Sequence, residues 1–434
     1  MKGKTKKVAI KGSSKERFPV VIPRAEHTIS RNDISKAALK VLYRLHEAGY
    51  DAFLVGGGVR DLLLGLHPKD FDVVTNALPE EVRKLFSNSR IIGRRFKLVH
   101  VRYGREIIEV ATFRGHDPEH EHHKLSETGM ILRDNVFGSL DEDAMRRDFT
   151  INALYYNIAD FSVVDDVDGM KDIQRRILRV IGDPDQRYRE DPLRMVRAVR
   201  LASKLNLKID PESKKSIQKN AELLVQIPPA RLFDEFLKIS RSAYSAKAFS
   251  ALEETGLFKV LFPKLWELYQ GTNKQAIRKF ITLALESTDE RMKEEKGVNP
   301  AFLVAVLLWP LFEKALKFYL DEGVKLYIAI ARAQADVLNH HEMPMSVPRR
   351  LTIVIEDIWI LQFRLQQTQR ARIMRALYHP RFRAAYDFMI LRADSDESLK
   401  KLCDWWEKFQ EASSEVQTEM IEKHPLKKEV KKSD

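Results

Sequence analysis

The chain has 434 residues, 44% of them apolar, and a formal net charge of +12 at pH 7. This length allows two or three domains with a substantial core, and the composition is that of an ordinary globular protein. The single cysteine, Cys403, excludes an intramolecular disulfide and favours a reducing compartment, so we expect a cytoplasmic protein. The sequence contains no run of eighteen apolar residues and no secretory signal, so no membrane span is expected.

The positive charge is concentrated at the two ends of the chain. Residues 1–17 carry a net charge of +6 and residues 423–434 a net charge of +3. Such termini are usually solvated tails, but they also attract polyanions in a salt-dependent way. We predict a basic flexible arm over residues 1–29, where Pro19 and Pro23 interrupt any periodicity, and a basic tail over residues 416–434.

Residues 52–75 hold the pattern on which the functional prediction depends. An apolar strand runs into three glycines, and a short helix then leads to a second strand; the marked residues are Gly56, Gly57, Arg60, Asp61, Asp70 and Asp72. Side chains two apart in a strand share a face, so Asp70 and Asp72 should project together. Two carboxylates at such distance need a cation, and Mg²⁺ prefers carboxylates combined with substrate phosphates. Glycine N–H groups can approach an anion closely. The pattern therefore predicts a nucleotide and metal site.

The next elements add one candidate ligand and one alternative site. Two strands, at 97–103 and 106–113, are predicted to form a hairpin at Gly104-Arg105. The second strand could bring Glu109 to the aspartate pair; the alternative is an ordinary polar strand residue. Residues 115–128 contain four histidines among acids without an apolar pattern, and a solvated loop explains them better than a zinc site.

Arginines then recur beside acidic residues in two segments. Residues 141–156 present Arg146, Arg147 and Asp148, and Asp191 precedes a helix that carries basic residues every three positions, namely Arg194, Arg197 and Arg200. Taken alone, the first segment indicates a surface ion pair and the second a solvated basic helix.

From residue 211 onward the chain shows helical periodicity almost throughout, interrupted by Pro228-Pro229, Gly256 and Pro344–Pro348. Late in this region, arginines alternate with aromatic residues including Tyr378 and Tyr386. An RNA path and ordinary exposed helix faces explain this pattern equally well; the candidate RNA-binding residues are Arg370, Arg372, Arg375, Arg381 and Arg383.

These motifs together resemble the class II nucleotidyltransferases of the polymerase β superfamily, which include CCA-adding tRNA nucleotidyltransferases and bacterial poly(A) polymerases. The matched elements are G-G-x-x-R-D, D-x-D, R-R-D-x-T-x-N-A at 146–153 and E-D-x-x-R at 190–194. The resemblance covers roughly residues 25–410 and implies an α+β fold with a polymerase-β-like head and a mixed sheet. The implied domains are a catalytic head (30–168), a helical nucleobase-reading neck (169–230) and a helical RNA-binding body (231–415).

The resemblance also implies roles for the marked residues. Asp70, Asp72 and Asp148 would form the catalytic set, and Asp70 and Asp72 would hold two Mg²⁺ ions, with Mn²⁺ as a substitute. One ion would activate the RNA 3′-hydroxyl and the other would hold the β- and γ-phosphates. Spacing leaves open whether Asp148 or Glu109 is the third carboxylate. The implied ATP-binding residues are Gly56, Gly57, Arg60, Arg147, Asp191, Arg194, Arg197 and Arg200. Asp191 and Arg194 would read the base edge.

Within the family, residues 91–101 (IIGRRFKLVHV) resemble a signature of the poly(A) polymerases. We therefore expect template-independent addition of AMP from ATP to RNA 3′ ends, which in bacteria promotes mRNA decay. The first alternative is a CCA-adding enzyme, and the second is a catalytically inactive RNA-binding adaptor, disfavoured because every aspartate position is filled. Expected partners are RNA 3′ ends, ATP and, by resemblance, RNA-decay or RNA-chaperone proteins. We expect a monomer.

Overall fold

The computed structural model describes residues 19–93, 97–115, 136–339 and 343–426. An N-terminal eight-stranded sheet is followed by helices almost throughout these ranges, which confirms the expected α+β class. The chain divides into two compact units, Met1–Arg194 with Asn206–Asn220, and Met195–Leu205 with Ala221–Asp434. Most of the predicted neck thus groups with the head residues. Within the described ranges, no helix combines the length and apolarity needed to cross a membrane.

The sheet is mixed, as the family resemblance implied. Its order is β1-β8-β7-β2-β3-β6-β5-β4, and only β3 and β6 run parallel to each other. The strands are β1 Val20–Ile22, β2 Ala52–Val55, β3 Asp72–Thr75, β4 Ser89–Ile92, β5 Leu98–Tyr103, β6 Glu106–Thr112, β7 Leu154–Asn157 and β8 Val163–Asp165. The predicted hairpin is confirmed: β5 and β6 are antiparallel, and Gly104 supplies the positive φ of +63° at their turn.

Helices cover one face of this sheet. Helix α1 (Lys36–Glu47), capped by the Ser35 hydroxyl, packs on β2, β3 and β6, and α3 (Pro79–Leu85) packs on β4, β5 and β6. Short helix α2 (Gly57–Leu63) follows β2 directly. Alternate strand side chains point to the covered face and are fully buried, as Val73 and Val110 show.

An apolar cluster covers part of the other face. Helix α4 (Leu140–Arg146) contributes Ala144 to this cluster, whose buried residues are Phe53, Val55, Val74, Phe113, Ala144, Ala153, Tyr155, Val164, Val167 and Ile181. Val55 is the register partner of Asp72, so both side chains lie on this face. Asp72 therefore stands at the border of the apolar cluster.

Part of the region predicted as an N-terminal arm belongs to the sheet. Strand β1 pairs with β8 at the sheet edge, with Val21 opposite Val164. Pro19 and Pro23 flank this strand, and proline is tolerated at a sheet edge because its missing N–H breaks no internal ladder. Three residues are too few to show periodicity, which explains the wrong prediction for residues 19–29. The rest of the predicted arm, residues 1–18, lies outside the described residues.

Beyond the sheet, the chain is mainly helical, as its periodicity predicted. The helices are α5 Gly169–Arg175, α6 Pro184–Glu190, α7 Leu193–Leu205, α8 Pro211–Asn220, α9 Pro229–Ser240, α10 Ser245–Glu254, α11 Leu257–Leu261, α12 Pro263–Leu268, α13 Lys274–Lys293, α14 Pro300–Asp321, α15 Leu326–Asn339, α16 Arg349–Arg364, α17 Arg370–Leu377, α18 Phe382–Ala393, α19 Lys400–Glu411 and α20 Ser414–Glu422. The short strands β9 (Ile177–Leu178) and β10 (Lys208–Ile209) pair in parallel. Helix α20 begins the region predicted as a basic tail, and its Ile421 is buried; residues 427–434 lie outside the described ranges.

Gly169, at the start of α5, lies against the short 3-10 helix Thr150–Asn152. A Cβ atom there would stand 2.3 Å from the Thr150 carbonyl oxygen. We expect Gly169→Ala to lower the free energy of unfolding by about 1–3 kcal/mol in denaturant titrations, because backbone must move to admit the methyl group. The control is Gly297→Ala, at a position where no described residue would meet the Cβ within 4 Å. Equal stability of the two variants would contradict this close packing.

Candidate active site

The glycine run places three separate motifs in contact. Gly56 ends β2 with a φ of +74°, and a Cβ at this position would lie 3.6 Å from Asp72 Oδ2 and 3.7 Å from Arg147 Nη1. Gly58 packs against the D-x-D motif, since a Cβ at this position would lie 3.5 Å from the carbonyl oxygen of Asp70. Only glycine adopts the Gly56 conformation without strain. The G-G-x-x-R-D, D-x-D and R-R-D segments therefore meet at Gly56.

Asp70 and Asp72 project together, although only one of them lies in the strand. Strand β3 begins at Asp72, so Asp70 precedes the strand rather than belonging to it. Both aspartates are exposed, whereas Phe71 between them is buried. The Asp70 charge contributes to a raised pKa at Asp72, which requires the two carboxylates to be near each other.

Glu109 joins this pair from the neighbouring strand. It is the register partner of Asp72 in the parallel β3–β6 ladder, so the two side chains lie on the same face. The pKa of Asp72 is raised to about 6, first because surrounding protein atoms remove part of its hydration, then by repulsion from Glu109 and from Asp70, against the opposing charge of Arg147. Such a carboxylate gains from a bound cation.

The described ranges contain no group of three or more His, Cys, Asp or Glu side chains placed closely enough to hold a metal ion by themselves. An ion that takes two carboxylates and completes its shell with substrate phosphate oxygens needs no such group. The Asp70–Asp72 pair, with Glu109 beside it, fits Mg²⁺ on that basis.

Asp148 makes hydrogen bonds within its own motif. Its Oδ1 accepts hydrogen bonds from the Phe149 backbone N–H at 2.8 Å and from Asn152 Nδ2 at 2.9 Å. Its charge acts on Arg187, and it is not among the groups that shift the pKa of Asp72. Of the two candidates for a third carboxylate, Glu109 is the one that the structure places beside Asp72.

Arg60 is buried and its guanidinium bonds within the protein. Nε and Nη2 donate to Asp61 Oδ1 at 2.8 and 2.6 Å, and Nη1 donates to Asn152 Oδ1 at 2.7 Å. Asn152 in turn bonds Asp148. The arginine predicted to bind the triphosphate is thus 5% exposed and links the G-G-x-x-R-D and R-R-D-x-T-x-N-A segments.

Arg147 is held in place by two residues that the sequence analysis did not single out. Its Nε donates to Asp143 Oδ2 at 3.0 Å and to the Tyr155 hydroxyl at 2.9 Å, while that hydroxyl donates to Asp143 Oδ2 at 2.7 Å. Burial alone would lower the pKa of Arg147, but Tyr155 and Asp143 raise it above its ordinary value. Arg147 is therefore a permanent cation beside Asp72. The i,i+4 spacing of Asp143 and Arg147 on a helix was the available signal.

A second arginine joins this motif to the predicted base-reading element. Arg187 Nη2 donates to the backbone carbonyls of Arg146 and Arg147 at 2.8 and 2.6 Å, and its Nη1 donates to Glu190 Oε2 at 2.7 Å. Burial, with the nearby charge of Arg194, lowers the pKa of Arg187 to about 10. Sequence reasoning missed Arg187, although its i,i+3 spacing to Glu190 on α6 was visible.

Arg194 is also fixed by Glu190. Its Nη1 donates to Glu190 Oε2 at 3.1 Å and to the Arg187 carbonyl at 2.8 Å. Asp191 ends α6, and its carbonyl accepts the Arg194 backbone N–H at 3.0 Å. The E-D-x-x-R element is therefore a compact turn that holds one guanidinium in a single place.

Arg197 and Arg200, the remaining two residues predicted to contact the nucleotide, pair with an acidic residue of the protein. Arg200 Nε donates to Glu235 Oε2 at 2.9 Å, and Arg197 Nη1 lies 4.0 Å from Glu235 Oε1. Glu235, on α9, is 2% exposed and keeps a lowered pKa despite its burial, because Arg200 and the other cations around it favour the ionised form. Nothing in the spacing of α7 indicated this acid, which lies 35 residues after Arg200.

The predicted RNA-binding arginines are mostly exposed. Arg381 is half-buried, and the exposed members are Arg370, Arg372, Arg375 and Arg383. Tyr378 lies among them with 75% of its surface exposed. Tyr386, predicted to line the same path, is instead buried: it stacks on Phe382 with a ring separation of 6.1 Å, and its hydroxyl donates to the Cys403 carbonyl at 3.2 Å.

Comparison with known proteins shows the family to which the chain belongs. Residues 52–179 match the poly A polymerase head domain, residues 206–269 match a region described as the probable RNA- and SrmB-binding site of polymerase A, and residues 322–434 match the polymerase A arginine-rich C-terminus. Poly(A) polymerase I of Salmonella typhi is 50% identical over 408 residues, which cover 92% of this chain and 88% of that protein. The chain belongs to the poly(A) polymerase I family.

CCA-adding enzymes are more distant relatives of this poly(A) polymerase family member. The CCA-adding enzyme of Lactobacillus gasseri is 40% identical over 225 residues, covering 52% of this chain and 55% of the enzyme. The crystal structure of the Bacillus stearothermophilus CCA-adding enzyme in complex with CTP superposes with a TM-score of 0.55 at 27% identity, over 85% of this chain and 80% of that one. The polymerase and CCA-adding groups thus share this fold.

The Asp143–Tyr155–Arg147 contacts predict graded losses of stability. We expect Tyr155→Phe to lower the free energy of unfolding by about 1 kcal/mol, and Asp143→Ala by about 2–3 kcal/mol because the charged Arg147 loses its acidic partner. Denaturant titration measures both. The control is Tyr156→Phe, since the side chain of this buried tyrosine makes no hydrogen bond to a described residue. A loss of unfolding free energy in Tyr155→Phe no larger than that in Tyr156→Phe would contradict this prediction.

Proposed function

We propose that the protein adds AMP from ATP to RNA 3′ ends without a template. The observation that carries this proposal is the extent of the match. Identity of 50% to a poly(A) polymerase I covers 92% of the chain, whereas 40% identity to a CCA-adding enzyme covers only 52%. The polymerase relatives thus account for the helical region as well as the head.

The chemistry follows from the residues around Gly56. Asp70 and Asp72, with Glu109 behind them, would hold divalent ions, which we propose to be two Mg²⁺ with Mn²⁺ as a substitute. Bound there, Mg²⁺ supplies positive charge that activates a hydroxyl and neutralises departing pyrophosphate. Arg147, fixed by Asp143, places a second positive charge at the same place. The Gly56 and Gly57 backbone leaves room for the triphosphate to approach.

Selection of the base is proposed to rest on Asp191 and Arg194. An aspartate accepts from an exocyclic amine and an arginine donates to ring acceptors, so this pair can recognise adenine by its edge. The contacts of Arg194 with Glu190 and the Arg187 carbonyl support a rigid reader, since a fixed guanidinium fits one arrangement of acceptors. Arg60, Arg197 and Arg200 are proposed to act on ATP indirectly, through the contacts that position their neighbours.

Three further assignments are proposals of the same kind. We place the protein in the cytoplasm as a monomer, and the buried thiol of Cys403, whose pKa burial raises to about 11, suits a reducing compartment. The exposed arginines of α17 and α18 are proposed to contact RNA. The match of residues 206–269 to a region described as a probable RNA- and SrmB-binding site supports contact with RNA and with a protein partner.

The proposal is tested by supplying 3′-hydroxyl RNA with each single NTP and Mg²⁺, and then with CTP and ATP together. We expect long tails with ATP alone, because the site reads adenine and needs no template. Product length is measured on denaturing gels. A stop after C-C-A would identify a CCA-adding enzyme, and the absence of any product would identify an adaptor.

Asp70→Ala and Asp72→Ala are the variants expected to be inactive in the same assay. Each is expected to abolish AMP addition while RNA binding persists, because each removes a proposed metal ligand. Glu47→Ala, which removes an exposed acid on α1, is the control and should keep full activity. Full activity in either aspartate variant would remove the metal assignment.

Tyr378 gives a separate test of the RNA path. Stacking of a base on an exposed aromatic ring is worth about 1–3 kcal/mol, so we expect Tyr378→Ala to weaken binding of single-stranded RNA by roughly tenfold. Tyr378→Phe keeps the ring and should bind as the parent does. Fluorescence anisotropy with a labelled oligonucleotide measures both affinities. A parent-like affinity of Tyr378→Ala would exclude stacking at this residue.

A further inference from the structure

Strand register extends the catalytic face of the sheet beyond Asp72. Asp72 pairs with Glu109, Glu109 pairs with His100, and His100 pairs with Arg90. Register partners in neighbouring strands carry their side chains on the same face. These residues therefore form one row that runs from the active site across β6 and β5 to the edge strand β4. Arg102, two residues after His100 along β5, lies on the same face.

The charge along this row changes sign. Asp72 and Glu109 are acidic, His100 Nε2 lies 3.2 Å from Glu109 Oε1, and Arg90 and Arg102 are exposed. The opposite face of the same strands is apolar and buried, as Val99 and Val101 show. The exposed charged side chains of these strands therefore lie on the face that carries Asp72. Its acidic end lies beside the apolar cluster and its basic end points away from it.

The two arginines differ from the other arginines of the site. Arg60, Arg147 and Arg187 are each bonded to carboxylates or carbonyls of the protein. By contrast, the guanidinium groups of Arg90 and Arg102 make no hydrogen bond or ion pair with any residue in the described ranges. An exposed arginine on an edge strand can simply prevent edge-to-edge pairing. That explanation does not cover Arg102, because β5 lies inside the sheet between β4 and β6.

We propose that this face, comprising Arg90, His100 and Arg102, binds the sugar-phosphate backbone of the RNA primer just upstream of its 3′ end. The inference rests on the proposed nucleotidyl transfer, which puts that 3′ end at Asp72. Three strand spacings of about 4.8 Å separate Arg90 from Asp72, a span of about 14 Å, so Arg90 contacts nucleotides that precede the reacting one.

Charge and apolar surface both suit single-stranded RNA. A phosphate at Arg90 lies two strand spacings, about 10 Å, from Glu109, a separation at which repulsion in water is largely screened. Ile107, the register partner of Arg102, is 40% exposed and offers an apolar contact to a base. Backbone contacts of this kind hold RNA without reading its sequence. The face therefore serves a polymerase that must keep hold of any 3′ end.

The test compares Arg90→Ala, Arg102→Ala and the double variant with the control Arg105→Ala. Arg105 is exposed on the same hairpin but lies in its turn, outside the row. RNA affinity is measured without ATP over a range of salt concentrations. KM for RNA and KM for ATP are measured at a single salt concentration. Each row variant should reduce the slope of log affinity against log salt by about 0.7 and raise KM for RNA about threefold or more. KM for ATP should stay at the parent value.

The outcomes separate this inference from the proposed function. If the parent makes A-tails and both row variants keep the salt slope and KM of Arg105→Ala, the RNA face is refuted and the polymerase function stands. If the parent adds no nucleotide, the proposed function fails, and the binding slopes alone still decide whether Arg90 and Arg102 touch RNA. Each variant should unfold at the same temperature as the parent protein, which excludes a folding defect as the cause.

Discussion

The site depends on the repulsion among carboxylates that share one sheet face, moderated by a single guanidinium. Asp70 and Glu109 both act against ionisation of Asp72, and Arg147 acts in its favour. Arg147 and Asp72 both approach Gly56, where a Cβ would lie 3.7 Å from Arg147 Nη1 and 3.6 Å from Asp72 Oδ2. The protein therefore supplies part of the positive charge that these acids require, through Arg147, and the negative charge that remains favours the binding of a cation.

Buried arginines connect the motifs to one another as well as to a substrate. Arg60 reaches Asn152, 92 residues away in sequence, and Arg187 holds the carbonyls of the R-R-D segment from α6. Hydrogen bonds among buried polar groups are strengthened by the low dielectric of the interior, and loss of one member leaves its partners unsatisfied. Residues of one motif therefore fix the geometry of another, so that a defect at Arg60 or Arg187 would reach the reacting atoms through positioning.

Much of the fold and of the site could be predicted from local pattern. The strands and the long helices follow from periods of 2 and 3.6 residues, and the hairpin at Gly104 follows from its turn residues. Asp70 precedes β3, so strand alternation alone did not place it beside Asp72. The approach of Glu109 to Asp72 was also visible as a face of its strand, although its register was not.

Side-chain contacts between residues that are far apart in sequence could not be predicted in this way. Burial of Arg60 depends on Asn152, and the pairing of Arg197 and Arg200 depends on Glu235, because a guanidinium looks the same in sequence whether it binds phosphate or a carboxylate of the protein. The burial of Tyr386 depends on contacts with Phe382 and Cys403. Helical spacing alone did not distinguish it from Tyr378, which the fold leaves in solvent.

The three-residue strand at the N-terminal edge also bears on how much of the sheet edge is open to pairing. An open sheet presents unpaired N–H and C=O groups at each margin, and long flat margins invite another chain to add a strand. Here one margin is closed by Val20–Ile22, bounded by Pro19 and Pro23, and the other ends in the four residues of β4. Within the described residues both edge strands are therefore short, and short edge strands offer few unpaired backbone groups to a strand of another chain.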